Sequence, residues 1–253
     1  MRVAVVLRSI CDPSSLRVSR GRGVIETGRA RPILAAGDRR ALEEALRLHN
    51  VGAHLVGLGL GSGAEGFLRE AAALGVDELI HLRGEGMPHL ELDESPWIEL
   101  LAEGFERRGA PDLVLVGHRL NNRRASPLGP RLAERLGWPL LTRALQVEMD
   151  SGGQVRARCA GEKASALWEA PLPCVVTIED GPRSLYAPLP ATMAAGPGEL
   201  EVWMNWASGN AEKTVETVDT NAAPEVRGEK LAAEPRRLAQ ALAQRLRRWG
   251  LLD

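Results

Sequence analysis

One short stretch of this sequence gathers three arginines, a histidine and a serine: Gly117-His118-Arg119-Leu120-Asn121-Asn122-Arg123-Arg124-Ala125-Ser126-Pro127-Leu128-Gly129. It follows the strand run 112–116 and ends where a helical pattern begins, which puts it at the carboxyl edge of a sheet, against a helix N-terminus. Guanidinium groups, free backbone N–H groups and the helix dipole all favour a phosphate there. A solvated basic loop is the plainer alternative, and the residues leave both open. Gly57, Gly59, Gly61 and Gly63 form a second candidate, again where a strand run meets a helix start. Such a loop lets backbone approach a ligand closely. It lacks the acidic partner about 20 residues on that completes a dinucleotide fingerprint, and a tight turn accounts for it equally well.

No bond-making constellation accompanies these loops. His49, His54, His81, His89 and His118 have neither H-E-x-x-H spacing nor a nucleophile partner. His54 and His81 fall in strand runs and read as core or edge residues. There is no G-x-S-x-G and no Walker A sequence. Cys11, Cys159 and Cys174 show no C-x-x-C, and their odd count points to a reducing compartment with neither a disulfide framework nor a metal site. A phosphate-friendly loop without acid–base machinery describes a binder rather than a hydrolase.

The elements that must position these loops alternate in type. Runs 2–7, 54–58, 78–82 and 112–116 read as buried strands. Between them Asp38 stands at the start of a helix with apolar face Ala41, Leu42, Ala45, Leu46 and Leu48, where it is placed to cap. Ser62 with Glu65 makes a capping box before Phe67, Leu68, Ala71 and Ala72, and Gly75 stops that helix. Ser95-Pro96 and Ser126-Pro127 each read as an N-cap with proline in the first turn, and Gly137 ends the second of these helices. Alternation of this length predicts βαβ crossovers, hence an α/β fold in three layers: a mostly parallel sheet with helices on both faces. Runs 141–148, 154–159, 164–168 and 174–178 add strands, antiparallel ones at one edge, with a turn at Asp150-Ser151-Gly152-Gly153. From about 182 to 235 the chain is rich in Pro, Gly, Ala and Glu with little periodicity, which suggests a functional or interface segment. Leu238, Leu242, Leu246 and Trp249 then form the stripe of an amphipathic helix, flanked by arginines.

Over 253 residues the net charge is −1, which gives no argument for nucleic acid or an anionic membrane. No apolar stretch approaches the ~18 residues needed to span a bilayer, and MRVAVVLRSI is charged too early for a signal peptide. The expectation is a soluble cytoplasmic protein without direct membrane insertion.

Several blocks, in order, resemble the beta subunit of electron transfer flavoproteins over nearly the whole chain. The start Arg2-Val3-Ala4-Val5-Val6-Leu7-Arg8 with Asp12 matches the family's first strand and turn. Ala41-Leu42-Glu43-Glu44-Ala45-Leu46-Arg47-Leu48 matches A-V-E-E-A-L-R-L, and Ala73-Leu74-Gly75-Val76-Asp77 matches A-M-G-A-D. Pro111-Asp112-Leu113-Val114-Leu115-Val116-Gly117 corresponds to P-D-L-V-L-x-G, and Leu136-Gly137-Trp138-Pro139 to L-G-W-P. Leu172-Pro173-Cys174-Val175-Val176-Thr177, then Tyr186-Ala187-Pro188-Leu189-Pro190 and Met193, follow L-P-A-V-V-T and Y-A-x-L-P-x-I-M.

The resemblance implies an adenine-nucleotide-binding α/β domain at 1–181, a partner-docking loop at 182–200, and an arm at 201–253 whose C-terminal helix contacts an alpha subunit. It implies a heterodimer that carries electrons from a partner dehydrogenase to a quinone-linked oxidoreductase. The FAD would be held mainly by the alpha subunit, and the beta chain would do no bond chemistry. Leu189, Pro190 and Met193 would form the docking contact. A nucleotide, AMP first and a second FAD as the alternative, would sit near Val6, Gly59, Gly117, Arg123, Arg124, Ser126, Leu128 and Gly129. Departures cluster at that site. The family's aspartates are replaced around Asn122, Arg123 and Arg124, and Pro127 has no N–H to give. Its N-P-x-x-E segment reads Ala35-Ala36-Gly37-Asp38-Arg39. Fewer acids and more arginines predict a nucleotide still bound, in altered geometry. Two alternatives remain: a subunit of a bifurcating or dehydrogenase-bound complex holding a second flavin, and a stand-alone nucleotide-binding regulatory domain.

Overall fold

The computed structural model describes residues 1–19, 24–26, 31–84, 87, 90, 93–120, 125–150, 153–180 and 200–204, together with 239, 242–244 and 246–247. In chain order the elements are β1 (Arg2–Cys11), a single 3-10 turn (Pro13–Ser15), β2 (Arg17–Ser19), β3 (Val24–Glu26), β4 (Pro32–Leu34) and α1 (Ala36–His49). Next come β5 (His54–Leu60), α2 (Ala64–Leu74), β6 (Glu78–Arg83), α3 (Ser95–Arg108), β7 (Leu113–Gly117) and α4 (Leu128–Leu136). The last are β8 (Leu140–Met149), β9 (Val155–Ala160), β10 (Ser165–Ala170), β11 (Cys174–Ile178) and β12 (Leu200–Met204).

The main sheet runs β10-β9-β8-β11-β7-β1-β5-β6-β12, with β4 antiparallel on the far end of β1. From β8 through β11, β7, β1, β5 and β6 to β12 every pairing is parallel, whereas β8–β9 and β9–β10 are antiparallel. This is the expected three-layer α/β domain with antiparallel strands at one edge. Its β1 is apolar on both sides because both are covered. Val3, Val5 and Leu7 pack with Leu42 and Ala45 of α1 and Leu68 and Ala71 of α2. Ala4 and Val6 pack on the other face with Trp97, Ile98 and Leu101 of α3 and Leu128 and Leu132 of α4.

Strand order reverses beside β1. The chain moves outward from β1 to β5 and β6, then returns to place β7 on the other side of β1. The connections leaving β1 and β7 therefore diverge to opposite faces, into α1 and α4. The crevice between them is the topological switch point, where open α/β sheets bind ligands.

Several local expectations are corrected. Asp38 does not cap α1; Ala35 is the N-cap and makes no side-chain cap bond, while the Asp38 carboxylate turns inward. Ser62 and Glu65 form no capping box. Left-handed Gly63 is the N-cap of α2, the Ser62 carbonyl accepts from the Ser9 hydroxyl, and Glu65 pairs with Arg69 one turn on. Glu94 rather than Ser95 caps α3, and Pro127 rather than Ser126 precedes α4. Gly75 and Gly137 end α2 and α4 in the left-handed conformation, as expected. Within the stretch read as aperiodic, Leu200–Met204 forms β12 along β6, so part of the arm belongs to this chain's own sheet. Residues 239, 242–244 and 246–247 are helical, and Leu242 is exposed.

Candidate functional site

At the switch point the apolar run of β1 is interrupted by an arginine whose side chain has no solvent exposure. Strand geometry carries Arg8 one step beyond Leu7 towards the carboxyl edge, between the starts of α1 and α4. A guanidinium buried there must find carboxylates and use every N–H. It does both. Nε and Nη2 of Arg8 fork onto Asp38 at 2.8 and 2.7 Å, and the Arg8 backbone N–H adds a third bond to that carboxylate at 2.8 Å. Nη2 also donates to the Gly117 carbonyl at 2.7 Å. Nη1 donates to Glu94 at 2.8 Å and to the Ser126 hydroxyl at 2.5 Å. All five guanidinium N–H donors are thereby engaged.

The partners are satisfied in turn. Asp38 also accepts the Gly117 N–H at 2.9 Å, closing α1 onto the end of β7. The Ser126 hydroxyl donates to Glu94 at 2.9 Å and accepts the Leu128 N–H at 3.2 Å, tying α3 to the first turn of α4. The side chains of Arg8, Asp38 and Glu94 are fully buried. Burial by itself would pull the Arg8 guanidinium down, but Asp38 and then Glu94 raise it above its ordinary value, so it stays charged.

The site residues read from sequence divide into four groups. Val6 is buried in the core on the α3–α4 side, with its backbone in register with Leu58. The glycines Gly59, Gly117 and Gly129 meet their own chain. A Cβ on Gly59 would press on Leu68, one on Gly117 would overlap the backbone of Gly37 and Asp38, and one on Gly129 would overlap Thr177. Ser126 and Leu128 are buried at the start of α4. Arg123, Arg124, Leu189, Pro190 and Met193 lie outside the described residues. Arg8, Asp38 and Glu94 were not foreseen as a site. The available signal was an arginine inside the run Val3-Ala4-Val5-Val6-Leu7-Arg8-Ser9-Ile10, a charge that a buried strand tolerates only with carboxylate partners.

Beside this crevice a more exposed group stands at the root of the segment after β11. Arg143 has φ 58°, in the left-handed region, at an irregularity where β8 leaves β11. Its backbone N–H donates to the Thr177 hydroxyl at 2.9 Å and its Nε to Glu179 at 2.5 Å, which offsets the strain. Arg119 reaches the other Glu179 oxygen at 3.4 Å. Burial would raise Glu179, but the Arg143 hydrogen bond and charge bring it below its ordinary value. Burial depresses His118, with Glu179 opposing. Burial and then Glu179 push Asp180 up. These groups make a charged ledge, on which the Thr177 hydroxyl also lies 3.5 Å from Nδ1 of His118.

At the antiparallel edge, Leu167 and Trp168 of β10 are exposed, and Trp168 borders an open groove of about 400 Å³ with Leu140, Cys159 and Ala166. Among the described residues no group of His, Cys, Asp and Glu is arranged to hold a metal ion, and no helix is long and apolar enough to cross a membrane.

Comparison with known proteins agrees with this geometry. The family model of the electron transfer flavoprotein domain matches residues 22–208. The electron transfer flavoprotein subunit beta of Clostridium acetobutylicum is 28% identical over 206 residues, covering 80% of this chain and 78% of its own length. Protein FixA of Azotobacter vinelandii is 26% identical over 242 residues, covering 93% of this chain and 85% of its own. The acryloyl-CoA reductase electron transfer subunit gamma of Anaerotignum propionicum is 26% identical over 183 residues, covering 70% and 67%.

Proposed function

Because the chain belongs to the electron transfer flavoprotein family as a divergent beta-type subunit, we propose that it is the non-catalytic half of a heterodimer that carries electrons from a dehydrogenase to a quinone-linked acceptor. The FAD is held mainly by the alpha subunit and supplies the electron chemistry when bound. The observation that carries the reading is the state of the switch point. Where an α/β enzyme keeps its reactive groups, this chain has a closed network in which every Arg8 donor is already used. What remains for this chain is binding and shape. Exposed Leu167 and Trp168 on β10 and exposed Leu242 in the carboxyl-terminal helical stretch are apolar surfaces suited to the alpha subunit. Leu189, Pro190 and Met193 are the proposed dehydrogenase contact, with the leucine held between prolines so that little entropy is lost on docking. Three widely separated cysteines with no C-x-x-C spacing suit a cytoplasmic setting.

Co-expression with the alpha subunit tests this. The heterodimer should hold one FAD, and Leu189→Ala should slow flavin reduction by the dehydrogenase while leaving FAD content unchanged. A chain that binds flavin or turns over a substrate by itself contradicts the reading. A second reading is supported by the relative named as the electron transfer subunit of acryloyl-CoA reductase. In it the heterodimer stays bound to one dehydrogenase, and the two co-elute in size-exclusion chromatography of the native extract.

A further inference from the structure

We propose that the crevice at the switch point is filled by this chain's own side chains, with the Glu94 carboxylate making the contacts that a nucleotide phosphate would make, so that the subunit assembles and works with no adenine nucleotide there. This rests on the reading of the chain as an electron transfer flavoprotein subunit, whose resemblance implies an AMP at this place. The described residues do not fit one.

The donors are the first reason. A phosphate at the switch point would draw on the Gly117 and Leu128 backbone N–H groups, the Ser126 hydroxyl and a guanidinium. The Gly117 N–H is taken by Asp38 and the Leu128 N–H by the Ser126 oxygen, which itself donates to Glu94. The Arg8 guanidinium is consumed entirely inside the network.

Charge is the second. Helix N-termini attract anions, and two of the helix starts at the crevice, those of α1 and α3, already have a carboxylate. Asp38 sits in the first turn of α1 and Glu94 immediately precedes α3. The cluster sets two buried carboxylates against one guanidinium. A phosphate added beside it meets repulsion in a low-dielectric place. The expectation of a bound nucleotide followed from lost acids and gained arginines in the loop after β7. Among the described residues, carboxylates arriving from α1 and from the segment before α3 oppose that argument.

Space is the third. Gly117 and Gly37 touch backbone to backbone, and Gly129 rests on Thr177. The close approaches that glycines give to ligands elsewhere are used here for the chain's own packing.

The test uses the purified heterodimer, full-length and unmodified. It is denatured in acid, and released FAD, AMP and ADP are quantified by chromatography and mass spectrometry. The expected result is FAD without stoichiometric adenylate; one AMP or ADP per heterodimer overturns the proposal. Absence of FAD from the heterodimer would instead count against the functional reading, so the two failures are distinguishable in one extract. Titration calorimetry with AMP then compares the parent with Glu94→Ala, which frees an Arg8 donor and the Ser126 hydroxyl and opens space. Affinity for AMP should rise by about tenfold or more, equivalent to one or two new charge-assisted hydrogen bonds. Equal and tight AMP binding by both proteins would overturn the proposal.

Discussion

Replacing Arg8 by methionine tests the network at its centre. The substitution keeps an unbranched side chain of similar reach but leaves Asp38 and Glu94 facing each other with no cation, and both are fully buried. Removing one partner of such a cluster costs ~3–5 kcal/mol, because uncompensated charge stays in the interior. Against a total stability of ~5–15 kcal/mol that is a large fraction. With a urea slope of ~2 kcal/mol per molar, the unfolding midpoint should fall by roughly 1.5–2.5 M. The paired change Arg8→Met with Glu94→Met removes the excess carboxylate while Asp38 keeps the backbone N–H groups of Arg8 and Gly117. The double variant should therefore be more stable than the sum of the single effects by ~2 kcal/mol or more. Urea unfolding followed by far-ultraviolet circular dichroism measures the parent, the two single variants and the double variant. A loss below ~1 kcal/mol for Arg8→Met, a value typical of exposed pairs, together with strict additivity, would refute the buried network.

Other outcomes follow from the same geometry. Gly117→Ala should destabilise by ~3 kcal/mol or more, since its Cβ meets the backbone of Gly37 and Asp38, which cannot give way as a side chain can. Gly66→Ala, in α2 with open space around it, should stabilise by ~0.5–1 kcal/mol, and thermal melts compare the two. Folded His118 lies below its ordinary 6.5, so the unfolded chain binds the proton more readily; stability is present above that pH and falls as pH drops through the depressed value. Glu179, also depressed, adds a loss of the same sign below 4.5, and His118→Asn should flatten only the upper part of the profile in pH-dependent urea titrations. Trp168→Ala should leave this chain's stability within ~0.5 kcal/mol yet weaken association with the alpha subunit by about tenfold or more, as measured by surface plasmon resonance.

The α/β architecture was legible because the central parallel strands are buried on both faces and are written as nearly unbroken apolar runs, as in 113–116. The helices between them carry ordinary 3.6-residue spacing and, in α2 and α4, a glycine stop. Edge structure was less legible. Leu200–Met204 has one covered partner strand, lies beyond a Pro- and Gly-rich stretch, and offered only Val202 and Trp203 as strand formers. The switch-point network escaped for a different reason. Arg8, Asp38, Glu94 and Ser126 come from four separate segments, and their meeting depends on strand order, which no local pattern encodes. Asp38 and Ser95 were assigned to helix caps by their types, which is the commoner use of such residues. In the fold, Asp38 serves the guanidinium instead, and α1 begins without a side-chain cap.

The proposed electron-carrier role is tested most directly by the passage of electrons through the proposed heterodimer. The purified pair of subunits, held anaerobically, is mixed in a stopped-flow instrument with a dehydrogenase and that enzyme's substrate while visible flavin absorbance is followed. Bleaching is expected to require the dehydrogenase and to be slowed by Leu189→Ala. Bleaching by a substrate alone, with no dehydrogenase present, would contradict it.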